Sequence, residues 1–197
     1  MAYPTIAGPY GLVPVKLLSG VPFVGLTRQY SIASAYDTNI FYGDVVKLVT
    51  GGTIERDTAD AAMTPIGVFL GCTFTDPSSA NVTFRQYFPA DTVASDIMAY
   101  VADGTDILFK AAVVSATTTI GDLAITDIGA NVAMVDNTGS TVTGNSKIAI
   151  SDTSATTNTL PLRIVELVQE TTNSSGGFTE AYVKWNAGHM FDNTTGI

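Results

Sequence analysis

The sequence has very little of the chemistry that most enzymes and metal sites use. Its 197 residues include one cysteine, Cys72, and one histidine, His189. A single cysteine excludes an internal disulfide and any cysteine-rich zinc site. A catalytic triad would have to use His189, and the chain contains no Gly-x-Ser-x-Gly nucleophile elbow. We therefore predict a protein that is not an enzyme and needs no cofactor.

Charge is also scarce, and positive charge is the scarcer sign. Charged residues make up 14% of the chain, and nine basic against 18 acidic residues give a net charge of -9. An acidic chain repels phosphate backbones and gains nothing from counterion release, so we expect no direct binding of nucleic acid.

Long apolar runs are missing as well. The most apolar stretch, residues 66–72, is far shorter than the roughly 20 residues that a membrane-spanning helix needs. Residues 1–20 lack the basic and apolar regions of a signal peptide. We expect neither a membrane span nor a secretion signal.

Threonine and short apolar runs are abundant instead. The chain has 28 threonines and 46% hydrophobic residues, a composition that suits half-exposed β-sheet and still supplies a core. In residues 107–113 alternate positions are apolar, and residues 181–185 repeat that alternation. Residues 66–74 are apolar almost throughout, as in a strand buried on both faces. Short strands separated by turn residues predict an all-β sandwich or barrel.

Two segments leave the secondary structure open. Residues 162–168 fit either a helix or a buried strand with a bulge, and the strand is favoured. Residues 90–97 could begin a helical turn capped by Asp91. Helix content is expected to be low.

The N-terminal residues 1–29 are dense in proline and glycine, which excludes a helix and predicts an extended arm before an all-β domain at 30–197. The arm is too apolar for a solvated tail, so it should lie against its own domain or a neighbouring subunit. Aromatic side chains are concentrated in this part of the sequence, where they either form an interface or fill the core. The predicted interface residues are Tyr3, Tyr10, Leu12, Phe23 and Tyr30.

A weak internal repeat relates residues 40–90 to residues 119–186. Each unit has a Gly-Asp turn before a strand, at Gly43-Asp44 and at Gly121-Asp122, and later a proline at the start of another strand. The loop lengths of the two units differ, so the pattern only suggests a duplication.

Several residues invite a chemical role that a structural role explains better. Cys72 with His189 would make a dyad, but Cys72 lies in the most apolar run and is expected in the core. Three acidic pairs resemble fragments of calcium loops, although none has the Asp-x-Asp-x-Asp-Gly pattern, and structural turns are favoured. These pairs are Asp57 with Asp60, Asp103 with Asp106, and Asp122 with Asp127.

The order of turns and strands resembles the head decoration, or cement, proteins of tailed bacteriophages, of the type found in marine podoviruses and cyanophages. The segments that carry the resemblance are Gly43-Asp44-Val45-Val46 and residues 65–72, 100–109, 161–167 and 183–186. The resemblance implies a β-barrel or β-tulip-like protein on the outer capsid surface that bridges major capsid subunits as a dimer or trimer. It also implies synthesis in the cytoplasm of a host bacterium. On this hypothesis, removing residues 1–29 should abolish capsid attachment and leave the β domain folded.

Two other functions remain open. A receptor- or glycan-binding head fibre or tail component would use the Thr- and Asn-rich residues 135–159. A hydrolase would use His189, with Asp192 orienting the imidazole.

Overall fold

The computed structural model describes residues 8–168, 171 and 178–193. These residues form fourteen β-strands and one short 3-10 helix at Ile125–Asp127, and they contain no α-helix. The prediction of an all-β chain is confirmed. The strands are β1 Val13–Leu17, β2 Arg28–Ile32, β3 Val45–Leu48, β4 Thr53–Arg56, β5 Pro65–Thr75, β6 Val82–Arg85, β7 Met98–Ala102, β8 Ile107–Ala116, β9 Thr119–Ile120, β10 Asn131–Val132, β11 Met134–Val135, β12 Ala149–Ser151, β13 Leu162–Leu167 and β14 Glu180–Trp185.

Sheet one is built around the long strand β8. Its strand order is β10, β13, β14, β8, β12, β11, and both β1 and β9 also pair with β8. The alternation predicted for residues 107–113 is confirmed, because the odd-numbered side chains of that range lie together in the largest hydrophobic cluster. Ala112 and Val114 face the other way and pack with Ala149 and Phe178. Strand β8 is therefore covered on both faces.

Sheet two closes on itself. Its order is β3, β4, β2, β7, β5, β6, and β3 also pairs with β5, so the path of strand pairing returns to its first strand. All five strands of that closed path contribute side chains to one hydrophobic cluster, which also contains Cys72. The prediction that Cys72 is a core residue is confirmed, since its exposed fraction is 0%. Strand β6 pairs only with β5 and forms the outer edge.

The two sheets share a core. Val45, Val68 and Ala102 of sheet two belong to the same cluster as Phe109 and Trp185 of sheet one. The rings of Phe109 and Trp185 lie with centroids 5.2 Å apart. The sheets therefore bury apolar surface against each other.

Part of the predicted arm belongs to sheet one. Strand β1 pairs antiparallel with β8, and its register shifts between Pro14 and Lys16. Proline has no N–H to donate to a neighbouring strand, and sheets therefore accommodate it at edge strands and at bulges. Just before β1 the backbone at Gly11 approaches Gly43 so closely that a Cβ at Gly11 would lie 2.8 Å from the Gly43 carbonyl oxygen.

The two ambiguous segments are resolved. Strand β13 runs through the first of them and shifts register between Ile164 and Glu166, so the favoured prediction of a strand with a bulge is confirmed. Residues 90–97 contain turns and bends but no helix, and Asp91 has a φ of 58°. Across the described residues no helix is long and apolar enough to cross a membrane.

The strand pairings do not repeat between the two units of the suggested duplication. In the first unit β3 pairs with β5. In the second unit the Gly121-Asp122 turn is followed by the 3-10 helix Ile125–Asp127, so the prediction of a strand after that turn is wrong, and β13 pairs with β10 and β14.

Candidate interaction surface

The predicted interface residues have different surroundings. Tyr3 lies outside the described residues. Leu12 is 0% exposed and packs in the largest cluster, so it has no surface to offer a partner. The hydroxyl of Tyr10 donates to Glu180, whose carboxylate also accepts from Lys110 at 3.0 Å. Burial, together with the hydrogen bond to Glu180, raises the pKa of Tyr10.

Phe23 and Tyr30 are half-buried. Phe23 packs against the largest cluster, and its N–H donates to the Val15 carbonyl oxygen at 2.9 Å. The hydroxyl of Tyr30 donates to Asp103 at 2.7 Å. Burial and that hydrogen bond raise the pKa of Tyr30 to about 12, against the opposing effect of Arg28. Whether Tyr10, Phe23 and Tyr30 also contact a partner stays a prediction.

The most exposed apolar stretch begins directly after β1. We call residues 18–26 the apolar loop. Leu18 and Val21 are each 52% exposed, Val24 is 88% exposed and Leu26 is 57% exposed. Each of these side chains leaves more than half of its surface in water, which is unusual for neighbouring aliphatic residues in a folded chain.

The apolar loop borders a cleft. Three segments line the cleft: residues 26–28, residues 103–106 and residues 191–192. Its volume is about 440 Å³. The loop reaches the cleft at both of its ends, because the Leu18 N–H donates to the Asp106 carbonyl oxygen at 2.7 Å and Leu26 belongs to the lining.

The cleft is more acidic than basic. Three carboxylates, those of Asp103, Asp106 and Asp192, and one guanidinium, that of Arg28, line it. Asp103 is 4% exposed and is balanced by Arg28 at 3.4 Å and by the Tyr30 hydroxyl. Within the described part of the chain, Asp106 and Asp192 form no ion pair, and both side chains are exposed.

One wall of the cleft rests on a row of three tilted rings. His189 lies between Trp185 and Phe191, with ring centroids 5.6 Å and 5.7 Å away. The Phe191 N–H donates to His189 Nδ1 at 3.3 Å, and the Met190 N–H donates to the Pro65 carbonyl oxygen at 2.9 Å. The outer ring, Phe191, carries Arg28 over its face at 4.9 Å. These contacts hold residues 189–192 against both sheets.

His189 is almost fully buried among aromatic rings. It is 1% exposed, and burial lowers its pKa although Asp192 and Asp103 act in the opposite direction. Its Nδ1 accepts from the backbone of Phe191. Cys72 sits in the core of sheet two, where burial raises the pKa of its thiol to about 12. A thiol with so high a pKa is a poor nucleophile at neutral pH.

The acidic pairs make hydrogen bonds within the chain. Asp57 accepts from the Ala59 and Thr64 N–H groups, and Asp60 accepts from the Asp136 N–H. Thr179 donates to Asp122, while Ala124 and Ser154 donate to Asp127. In the ranges that the structure describes, no group of three or more His, Cys, Asp or Glu side chains is arranged to hold a metal ion.

A buried ionic cluster fixes the loop after β11 to sheet two. Arg56 Nε lies 3.0 Å from Asp44 Oδ2, and the same guanidinium contacts Asp136 and donates to the Asn137 carbonyl oxygen at 3.0 Å. Burial raises the pKa of Asp44, and the Arg56 guanidinium opposes that shift. A guanidinium shared by two carboxylates in a buried place stabilises one particular arrangement of the loop.

The Thr- and Asn-rich residues 135–159 include both buried and exposed parts. The Asn137 side chain donates to the carbonyl oxygens of Thr117 and Lys147. Ser146 is 1% exposed, and strand β12 pairs with β8 inside this stretch. Its exposed parts are residues 141–143 and 156–159.

The sequence singles out three of the cleft residues but does not bring them together. Asp103 and Asp106 are a candidate calcium pair, and Asp192 is a candidate partner of His189. Leu26 and Phe191 carried no signal, because an isolated apolar residue predicts burial more readily than exposure. The three segments are far apart in the sequence, and only the fold makes them neighbours.

No protein-family model, no curated protein and no solved structure matches this chain.

Proposed function

We propose that this chain is a virion structural protein that binds the outer surface of a phage capsid and bridges or stabilises major capsid subunits. The observation that carries the proposal is the apolar loop, where four aliphatic side chains stand more than half exposed on a folded all-β body. Covering such a surface with another protein lowers the free energy, because the apolar side chains leave water. The resemblance of the turn and strand pattern to phage decoration proteins supports the same function.

The architecture fits a decoration role. We interpret the closed path of pairing in sheet two as a small β-barrel, with sheet one packed beside it. A decoration protein needs no catalytic group, and modest contacts suffice because a shell repeats them many times. We further propose that the chain acts as a dimer or trimer, is made in the bacterial cytoplasm and ends on the virion surface.

Binding to shells tests the proposal. Purified chain is mixed with assembled shells of the major capsid protein of the same virus, and the two are sedimented together. We expect saturable co-sedimentation at a fixed number of copies per shell, with density on the outer surface in electron micrographs. Light scattering on the free chain checks for a dimer or trimer.

A variant with Val21→Ser and Val24→Ser tests whether the apolar loop makes the contact. It should bind shells at least about tenfold more weakly than the unaltered chain, which corresponds to roughly 1.4 kcal/mol. Absence of co-sedimentation by the unaltered chain would contradict the proposal. Specific saccharide binding by the isolated chain would instead support the receptor- or glycan-binding alternative.

A further inference from the structure

We propose that the acidic cleft and the apolar loop together bind an extended basic segment of a partner protein. An arginine or lysine side chain of that segment enters the cleft, and an apolar neighbour covers the loop. The inference deepens the proposed function by naming a docking surface and the chemistry of its occupant. Its test uses peptides, so it does not require that the partner be a capsid.

The charge of the cleft determines the sign of the occupant. Asp103 is already balanced by Arg28 and Tyr30, whereas Asp106 and Asp192 have no cationic partner in the described part of the chain. A guanidinium or ammonium group in the cleft would give these two carboxylates a cationic partner. A neutral or acidic occupant would not.

The wall of the cleft suits a long cationic side chain. Arg28 lies over the Phe191 ring at 4.9 Å, so this wall already holds one guanidinium next to an aromatic face. Leu26 and Phe191 give the cleft an apolar side for the methylene stem, and the carboxylates receive the charged end. The volume of about 440 Å³ holds one such side chain with water.

A second copy of this chain is a poor occupant. The chain carries a net charge of -9, which disfavours a second copy as the occupant of an acidic cleft. Five of its nine basic residues already pair with carboxylates of their own chain, namely Lys16, Arg28, Arg56, Arg85 and Lys110. A partner of opposite charge is therefore favoured over self-association at this surface.

The test is a titration of the ¹⁵N-labelled full chain with the peptide acetyl-Gly-Leu-Arg-Gly-amide, followed by NMR. The control peptide replaces arginine with citrulline, which has nearly the same shape and no charge. We expect saturable shifts of the backbone amides of Thr27, Gly104 and Thr105. The citrulline peptide should bind at least about tenfold more weakly.

A pair of variants assigns the effect to the cleft. Asp106→Asn with Asp192→Asn should weaken binding of the arginine peptide at least about tenfold and leave the thermal midpoint unchanged. Asp37→Asn with Asp91→Asn removes the same charge from other exposed sites and should change affinity by less than about twofold.

Three outcomes would overturn the inference: no saturable shift, equal binding of the two peptides, or shifts that lie away from the cleft. Concentration-dependent shifts of the same amides without peptide would assign the surface to a second copy and would also overturn it. If the chain does not bind shells but does bind the arginine peptide, the capsid is rejected as the partner and a basic partner is retained.

Discussion

Two neighbouring segments, residues 8–17 and the apolar loop 18–26, have similar compositions but differ in burial and in strand pairing. Both combine aliphatic residues with proline and glycine. The first places Leu12 in the core and pairs β1 with β8, whereas the second keeps Val24 88% exposed. Composition predicts extended backbone for both segments. The difference comes from the neighbours: β8 offers an edge to the first segment, and no described strand offers one to the second beyond the short bridge at Pro22.

The largest test of this comparison removes the first segment. Deleting residues 1–17 takes away β1 and the core residue Leu12, and it leaves the β1 side of β8 unpaired over residues 107–110. We expect loss of the cooperative thermal transition, because an unpaired strand and a cavity in the shared core each cost several kcal/mol. Circular dichroism and calorimetry measure it.

The sequence alone predicts instead that a chain lacking residues 1–29 stays folded, and this measurement distinguishes the two expectations. The control keeps the first segment and carries Val21→Ser and Val24→Ser in the second, and it should unfold cooperatively near the temperature of the unaltered chain. A cooperative transition at an unchanged temperature in the deletion variant would contradict the structural role of β1.

A finer test compares one residue from each segment. Leu12→Ala should lower the free energy of unfolding by about 2 to 5 kcal/mol, because it opens a cavity in the largest cluster. Val24→Ala should change it by less than about 0.5 kcal/mol, because the side chain is already in water. Urea unfolding monitored by Trp185 fluorescence gives both values. Equal effects of the two substitutions would show that the segments do not differ as described.

Much of the fold is predictable from local pattern. Alternation marks one face of β8, and an apolar run with glycines marks β5, because strand geometry sends successive side chains to opposite faces. The bulge in β13 follows from a pattern that fits neither a perfect strand nor a helix. These features depend on residues that are close together in the sequence.

Features that depend on distant residues are not predictable in this way. The pairing of β3 with β5 closes sheet two, and no local signal distinguishes it from an open order. The acidic cleft joins segments near residues 27, 104 and 191, which only tertiary packing brings together. Leu12 and Leu18 look alike in sequence, and their exposure differs because only Leu12 faces the shared core.

The smallest expected effect is the pH dependence of stability that comes from His189, beside the wall of the cleft. Burial lowers the pKa of His189 below its ordinary value of 6.5, so the folded chain keeps the imidazole neutral where the unfolded chain takes up a proton. Below about pH 6.5 the unfolded state therefore binds more protons, and stability falls with falling pH until the folded-state pKa is reached. The slope from this one group is at most about 1.4 kcal/mol per pH unit.

His189→Asn isolates this contribution because its side chain does not titrate and its carbonyl oxygen can still accept from the Phe191 N–H. The variant loses the ring contacts with Trp185 and should be less stable at pH 7.5, but its stability should fall less than that of the unaltered chain between pH 7.5 and 5.5. Amide exchange should report the same loosening at residues 189–192, and β1, which lies on another strand edge, should keep its protection. Equal pH slopes for the two chains would mean that His189 titrates alike in both states and that this wall is more open to water than its packing indicates.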